Sequence, residues 1–373
     1  MRWSWRIGRI AGINVNVHAT FPLLFLWLAL AQLGDESRPG VLAANVALLV
    51  GAFGIVVLHE LGHALTARRF GIRTLDITLL PIGGVARLER MPREPRQELL
   101  IALAGPAVNL ALAAPLYVLL RVAGGGEILP ALTAVDGAPT LAWFLAQLLV
   151  LDLWLAIFNL IPAFPLDGGR VLRALLAMRS GYTVATVRAA RIGRLFALLF
   201  GLAGLFVLAS PGLVLIALFV WLAAASEASA VQTQAALDGV SLESLLITDL
   251  RTLAPTDTLA HAAELTIAGF QQDFPVIDGS ALVGMLTQAD LIRGLSTLGT
   301  GGWVSAVMRR DFPAAAPDDS PEQALQRLRG SGGRALPVVR GHQLLGMLTA
   351  DNVMEFIMLR AAQRGGDARW AMR

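Results

Sequence analysis

The sequence predicts a polytopic α-helical membrane protein, six transmembrane helices with a membrane-associated β-hairpin, followed by a cytoplasmic α+β module of two tandem units. Three observations predict it. Apolar runs long enough to cross a bilayer crowd the chain before residue 226. Arginine-rich and arginine-poor loops alternate between those runs. Beyond about residue 240 the chain repeats itself at a fixed offset. Composition agrees, since only 15% of the 373 residues are charged, against roughly 25% in a soluble domain.

A bilayer core of about 30 Å needs about 20 apolar helical residues. Six stretches qualify: 17–34, 41–67, 98–121, 140–162, 194–209 and 211–226, the last two separated by a tight turn at Ser210, Pro211 and Gly212. Arg2, Arg6 and Arg9 precede the first, and Asp35, Glu36 and Arg38 follow it. Arg68, Arg69, Arg73, Arg90, Arg93 and Arg96 lie between the second and third, and Glu127 and Asp136 follow the third. Arg170, Arg173, Arg179, Arg188, Arg191 and Arg194 lie between the fourth and fifth. The excess of arginine on alternate loops places both termini in the cytoplasm. Ala29-Leu30-Ala31 resembles a signal-peptidase site, and loss of the first span would leave the later ones oriented as before.

Residues 74–90 break the helical pattern. Thr74, Asp76 and Thr78 alternate with Leu75, Ile77 and Leu79, which is strand periodicity. Pro81-Ile82-Gly83-Gly84 signals a turn, with Val85 to Glu89 as the returning strand. Non-helical backbone at membrane depth is tolerated only against protein or a wet cavity.

In the C-terminal part, Pro275-Val276 recurs as Pro337-Val338 and Gly284-Met285-Leu286-Thr287 as Gly346-Met347-Leu348-Thr349, all offset by 62. Pro255 and Asp257 recur at the same offset as Pro317 and Asp319. Each unit reads as strand, helix, strand, strand, helix. The expected domains are a membrane domain over 1–226, a linker over 227–240, repeats over 241–300 and 301–360, and an Arg-rich tail over 361–373, disordered or on the bilayer surface.

Cysteine is absent, which excludes disulfides, thiolate catalysis and cysteine-ligated metals. Lysine is absent too, so all 30 basic residues are Arg, which we read as codon bias. The pI near 10.3 does not indicate a nucleic-acid partner, because the arginines are scattered between apolar runs.

The sharpest signal is His59-Glu60-Leu61-Gly62-His63. Residues i and i+4 share a helix face, so both imidazoles can reach one metal ion, with Glu60 beside them as a general base. Ionisable residues inside an apolar run are costly and usually functional. Gly62 and Ala64 keep that helix surface small for close packing. Zinc in a catalytic site needs a third protein ligand and an open position. Of the five histidines, His18, His261 and His342 are the others. Arg69 stands where the metzincin pattern would put a third His. A carboxylate is therefore expected. The best candidate is Asp167, in the run Asn159-Leu160-Ile161-Pro162-Ala163-Phe164-Pro165-Leu166-Asp167-Gly168-Gly169, whose prolines break the helix and whose glycines let the backbone turn.

These motifs together resemble the site-2 protease family of intramembrane zinc metalloproteases. The likeness spans about residues 10–226 and includes Ala104-Gly105-Pro106-Ala107-Val108-Asn109 on the third span. The layout, six spans and a repeated tail, resembles the subgroup that carries two CBS domains. The resemblance implies one zinc ion held by His59, His63 and Asp167, with Glu60 as general base. It implies that Asn109 and Asn159 contact the substrate backbone or the oxyanion. The implied substrate is a transmembrane protein in the bilayer of a prokaryotic cell. Such a substrate must be extended locally, and the hairpin at Gly83 and Gly84 offers it an edge to join as an added strand. Asp152 departs from the expected uncharged residue; it either helps water reach the site or hydrogen-bonds a neighbouring helix. His18 reads as interfacial, as do Trp3 and Trp5.

By the CBS resemblance, the paired units form clefts for an adenine nucleotide as a regulator, or a dimerisation surface. The nucleotide contacts would be Thr287 and Asp290 in the first unit and Thr349 and Asn352 in the second, where Asn replaces the usual Asp. Two rival readings are a CBS-regulated transporter and a non-cleaving scaffold for membrane proteins. The first leaves Glu60 between two histidines unexplained and lacks an obvious inverted repeat; the intact motif argues against the second.

Overall fold

In the computed structural model the described residues are 3–31, 39–81, 83–92, 94–123, 140–269 and 271–370. Several residues used above lie outside them: Arg2, Asp35, Glu36, Arg38, Ile82, Arg93, Glu127, Asp136 and the last three of the tail. The chain forms two compact units, Met1–Val231 and Gln232–Arg373.

The first unit begins with strands β1 (Ser4–Ile10) and β2 (Ile13–His18), joined by Ala11 and Gly12, both at positive φ, as a two-residue hairpin turn requires. Helix α1 (Pro22–Ala31) follows, then α2 (Pro39–Arg69). Gly71, at φ +72°, closes α2: Ile72 N–H reaches Ala67 O and Gly71 N–H reaches Arg68 O, the paired bonds of a Schellman cap. The expected hairpin is β3 (Thr74–Leu80) and β4 (Gly83–Leu88). It joins the N-terminal hairpin in one sheet of order β1-β2-β3-β4, with β2 parallel to β3.

Helix α3 (Pro95–Ala123) and helix α4 (Leu141–Asn159) come next, the latter capped by the Thr140 hydroxyl on Trp143 N–H. A turn over 160–166 leads into α5 (Asp167–Ser180). Helix α6 (Tyr182–Leu202) runs on through a π-turn at Ala203–Val207, and α7 (Pro211–Leu237) completes the unit and enters the next. Five helices are long and apolar enough to cross a membrane among the described residues.

The first expected span needs correction. Val17 and His18 are not helical; they belong to β2, and α1 has ten described residues. The cause is legible: Ile13, Val15 and Val17 alternate with Asn14, Asn16 and His18, and β3 supplies a partner for that pattern. The fifth span begins twelve residues earlier than expected, at Tyr182, and residues 227–237 of the expected linker are the last turns of α7.

In the second unit, a short 3-10 turn (Leu242–Leu245) precedes the first repeat: α8 (Leu259–Ala268), β5 (Phe274–Asp278), β6 (Ala281–Leu286) and α9 (Gln288–Leu298). After a four-residue helix, α10 (Val304–Val307), the second repeat follows with α11 (Pro321–Ser331), β7 (Ala335–Arg340), β8 (Gln343–Thr349) and α12 (Ala350–Trp370). The repeat is physical as well as textual. Leu253 bridges Val276 as Ala315 bridges Val338, and Met285 bridges Arg309 as Met347 bridges Ile247. In that second set the halves exchange strands, so each completes the other. The tail expected to be disordered is helical through Trp370.

Candidate metal centre

His59, Glu60 and His63 lie on α2, and the two imidazoles are 3% and 5% exposed. Their Nε2 atoms are 3.1 Å apart, and Asp167 Oδ2 lies 3.1 Å from that of His59 and 3.0 Å from that of His63. The partners of the other ring nitrogens fix the tautomers. His63 Nδ1 is 2.7 Å from the Ile101 carbonyl, which can only accept, so Nδ1 carries the proton. Asn109 donates Nδ2 to the Asp152 carbonyl at 3.2 Å, so its Oδ1 accepts from His59 Nδ1 at 2.9 Å. Both Nε2 lone pairs therefore point at one carboxylate oxygen. Three acceptors within 3.1 Å and no hydrogen among them repel one another unless a cation lies between. Two imidazoles and one carboxylate are the donor set of a catalytic zinc site with an open position. The residues present fit the ion.

The neighbouring elements are shaped around this point. Gly105 lets α3 pass, since a Cβ there would overlap both imidazoles. Gly62 serves the same crossing: its Cβ would lie 2.7 Å from the Ala104 carbonyl oxygen and 2.8 Å from Val108 Cγ2. Asp167 starts α5, where the helix dipole favours a carboxylate. The turn before it is folded on itself, with Ala163 N–H on Ile161 O and Leu166 N–H on Ala163 O. Gly169 lies so close that a Cβ would come within 2.6 Å of the Ala163 and Phe164 backbone.

Sequence reasoning missed what holds α5. Arg173 is 0% exposed. Its Nε donates to Glu98 of α3 at 2.8 Å and its Nη1 to Glu227 of α7 at 2.5 Å. The guanidinium lies 5.0 Å from the ring centre of Phe164, in the Asp167 turn, and 4.9 Å from that of Tyr182. Arg173 had been counted as an ordinary loop charge. The available signal was Glu98, an acid at the head of an apolar run, which needs a partner.

The remaining expected site residues separate. Glu60 is half-buried, and its Oε2 accepts from the Ala86 N–H of β4 at 3.1 Å. Asn159 ends α4 with its Nδ2 at 3.5 Å from His59 Nε2. Asn109 is corrected: it is 0% exposed and both polar atoms are engaged within the protein, so it orients His59 and does not face substrate. Gly83 and Gly84 open β4, and Gly84 lies against Val56 and Glu60. Asp152 is buried, and its carboxyl oxygens have no hydrogen-bond partner among the described residues; only its backbone carbonyl is bonded, to Asn109. His18 bonds Thr20 and takes no part in the centre.

In the second unit the four expected nucleotide contacts hold the fold itself. Thr287 caps α9 and donates to Asp290, which also accepts from Arg309 Nε at 2.5 Å. Burial pushes the Asp290 carboxyl up, but hydrogen bonds from Arg309 and Thr287 outweigh this and hold it below its usual range. Thr349 accepts from Asn352 N–H, and Asn352 Nδ2 donates to Leu245 O at 2.7 Å. The adjoining cavity, lined by Asp273, Thr287, Arg309 and Ser331, measures about 50 Å³. That is room for a few water molecules and is too small for a nucleotide. In this conformation the expected contacts are therefore closed to one.

The profile of Peptidase family M50 matches residues 47–143 and 128–204, and that of the CBS domain matches 242–297 and 304–359. The zinc metalloprotease MJ0392 of Methanocaldococcus jannaschii is 30% identical over 95% of this chain and 96% of its own. Rip3 of Mycobacterium tuberculosis is 33% identical over 97% of this chain and 95% of its own. The solved site-2 protease from M. jannaschii is 38% identical, covers 61% of this chain and 95% of its own, and aligns with a TM-score of 0.45. With its His, His and Asp side chains gathered at one point, the chain belongs to peptidase family M50, a family of zinc metalloproteases, and carries a tandem CBS pair.

Proposed function

We propose that this chain hydrolyses peptide bonds in or near the transmembrane segments of membrane proteins, with His59, His63 and Asp167 holding one zinc ion. The observation that carries this reading is the convergence of those three ligands within a unit of long apolar helices, with Glu60 beside them on α2. Bound zinc supplies Lewis acidity, polarising the scissile carbonyl and lowering the pKa of water toward ~7. Glu60 takes the proton of the attacking water and delivers it to the leaving amine. Asn159, at the rim of the centre, donates to the developing oxyanion. Asn109 and the Ile101 carbonyl keep both imidazoles in the tautomer that leaves Nε2 free.

The bilayer is the chain's medium, and arginine placement supports cytoplasmic termini in a prokaryotic cell membrane. The CBS pair acts as the regulatory unit and as a surface for homodimers. An adenine nucleotide could engage Thr287 and Asp290 only after Arg309 leaves Asp290.

The test uses the detergent-solubilised full chain and a single-span reporter substrate. Chelation is expected to remove about one zinc per chain and stop cutting, and added zinc to restore it. Cutting that continues in chain shown to be metal-free would overturn the reading.

A further inference from the structure

The carboxylate that serves as base is bonded to a strand edge. Strand β4 ends the sheet, so one side of it has no strand partner. In an antiparallel ladder, alternate residues turn N–H and C=O toward the neighbour and the others turn away. Opposite β3, Ala86 faces Ile77 and Val85 faces Thr78. Ala86 is one of the outward residues, because its N–H goes to Glu60 Oε2 at 3.1 Å. Gly84, two positions earlier, shares that orientation. A Cβ on Gly84 would lie 2.7 Å from Val56 Cγ1 and 2.9 Å from Glu60 Cγ, so glycine lets the free edge lie directly on α2.

We propose that Glu60 and substrate compete for the Ala86 N–H, making this amide a specificity-determining group. Without substrate, Glu60 occupies it. A substrate segment that adds to β4 brings its own backbone carbonyl to Ala86, and Glu60 is freed toward the metal centre. A helical segment has its carbonyls engaged internally and cannot make the exchange. The ligand class is therefore a locally unwound stretch of a transmembrane peptide, selected by main chain and not by side-chain identity. The inference rests on the protease reading, but its test does not need cleavage.

The experiment is residue-resolved amide hydrogen exchange on the full chain in detergent, comparing wild type, Glu60→Ala and Glu60→Gln. Ala86 is expected to exchange slowly in wild type and roughly tenfold faster or more in Glu60→Ala, as for loss of a bond to a charged acceptor. Glu60→Gln still presents an accepting oxygen and should stay slow. Val85, which points at β3, reports whether the hairpin itself has loosened and should not change. A single-span peptide with a helix-breaking Gly-Pro centre, added to Glu60→Ala, should slow exchange at Gly84, Ala86 and Leu88; an uninterrupted polyleucine span should not. Equal Ala86 exchange in wild type and Glu60→Ala would overturn the Glu60 contact. Failure of the Gly-Pro peptide to protect the edge, or equal protection by polyleucine, would overturn the exchange. If the chain proved not to be a protease, the Glu60→Ala result would still stand or fall by itself.

Discussion

Replacing Glu60 by Gln leaves about one zinc per chain and slows cleavage of a transmembrane reporter by about 10²–10⁴-fold. The side chain keeps its size and an accepting oxygen but can no longer take a proton. It is not among the three converging side chains, so metal content should not fall. Metal analysis beside initial rates separates the two quantities. A variant that lost zinc and activity together would make Glu60 a structural residue of the centre, and one that cut at the wild-type rate would remove it as the base.

Arg173→Met is expected to destabilise the membrane unit by about 3–5 kcal/mol, the usual cost of removing one partner from a buried ionic network. Arg173 and Glu98 have side chains 0% and 3% exposed, so the carboxylate left behind has no access to water. Glu227 is partly exposed and contributes less. Arg173 also touches Phe164, three residues before Asp167, so zinc affinity should fall with stability. Thermal unfolding in detergent and chelator competition measure the two effects. Wild-type stability and affinity in Arg173→Met would mean that the Asp167 turn is held by its own backbone bonds alone. Arg173→Lys keeps the charge but not the two-sided donor geometry, and should recover only part of either loss.

The centre was legible where chemistry constrains residue type and spacing together. His59, Glu60 and His63 announce one helix face, and the absence of other suitable histidines points to a carboxylate. The duplicated unit was legible because 62-residue spacing survives in side chains that are buried in both copies, such as Val276 and Val338, or Leu286 and Leu348. The N-terminal sheet was less visible. Alternation at Ile13, Val15 and Val17 was present, but the run merges into the apolar α1 sequence, and its partner β3 lies about sixty residues away. Long-range pairing is the information a local pattern lacks.

Two roles could not be read from residue type alone. Asn109 suits either substrate or a ligand's second nitrogen, and only the α2–α3 crossing decides for His59. Thr287 and Asp290 suit a ribose, but Thr287 caps a helix and Asp290 pairs with Arg309, nineteen positions on. Asp152 is the case where the two expectations part: its carboxyl makes no hydrogen bond to a neighbouring helix among the described residues, which leaves the association with water as the surviving reading.

Zinc K-edge X-ray absorption on the purified chain, wild type beside Asp167→Ala, bears most directly on the convergence of two imidazoles and a distant carboxylate. The expected wild-type spectrum has about one zinc per chain bound by two imidazole nitrogens with oxygen completing the shell. In Asp167→Ala the oxygen contribution should change and the metal should be held far more weakly. Spectra and zinc content identical in the two proteins would contradict the assignment of Asp167, and with it the site on which the proposed reaction depends.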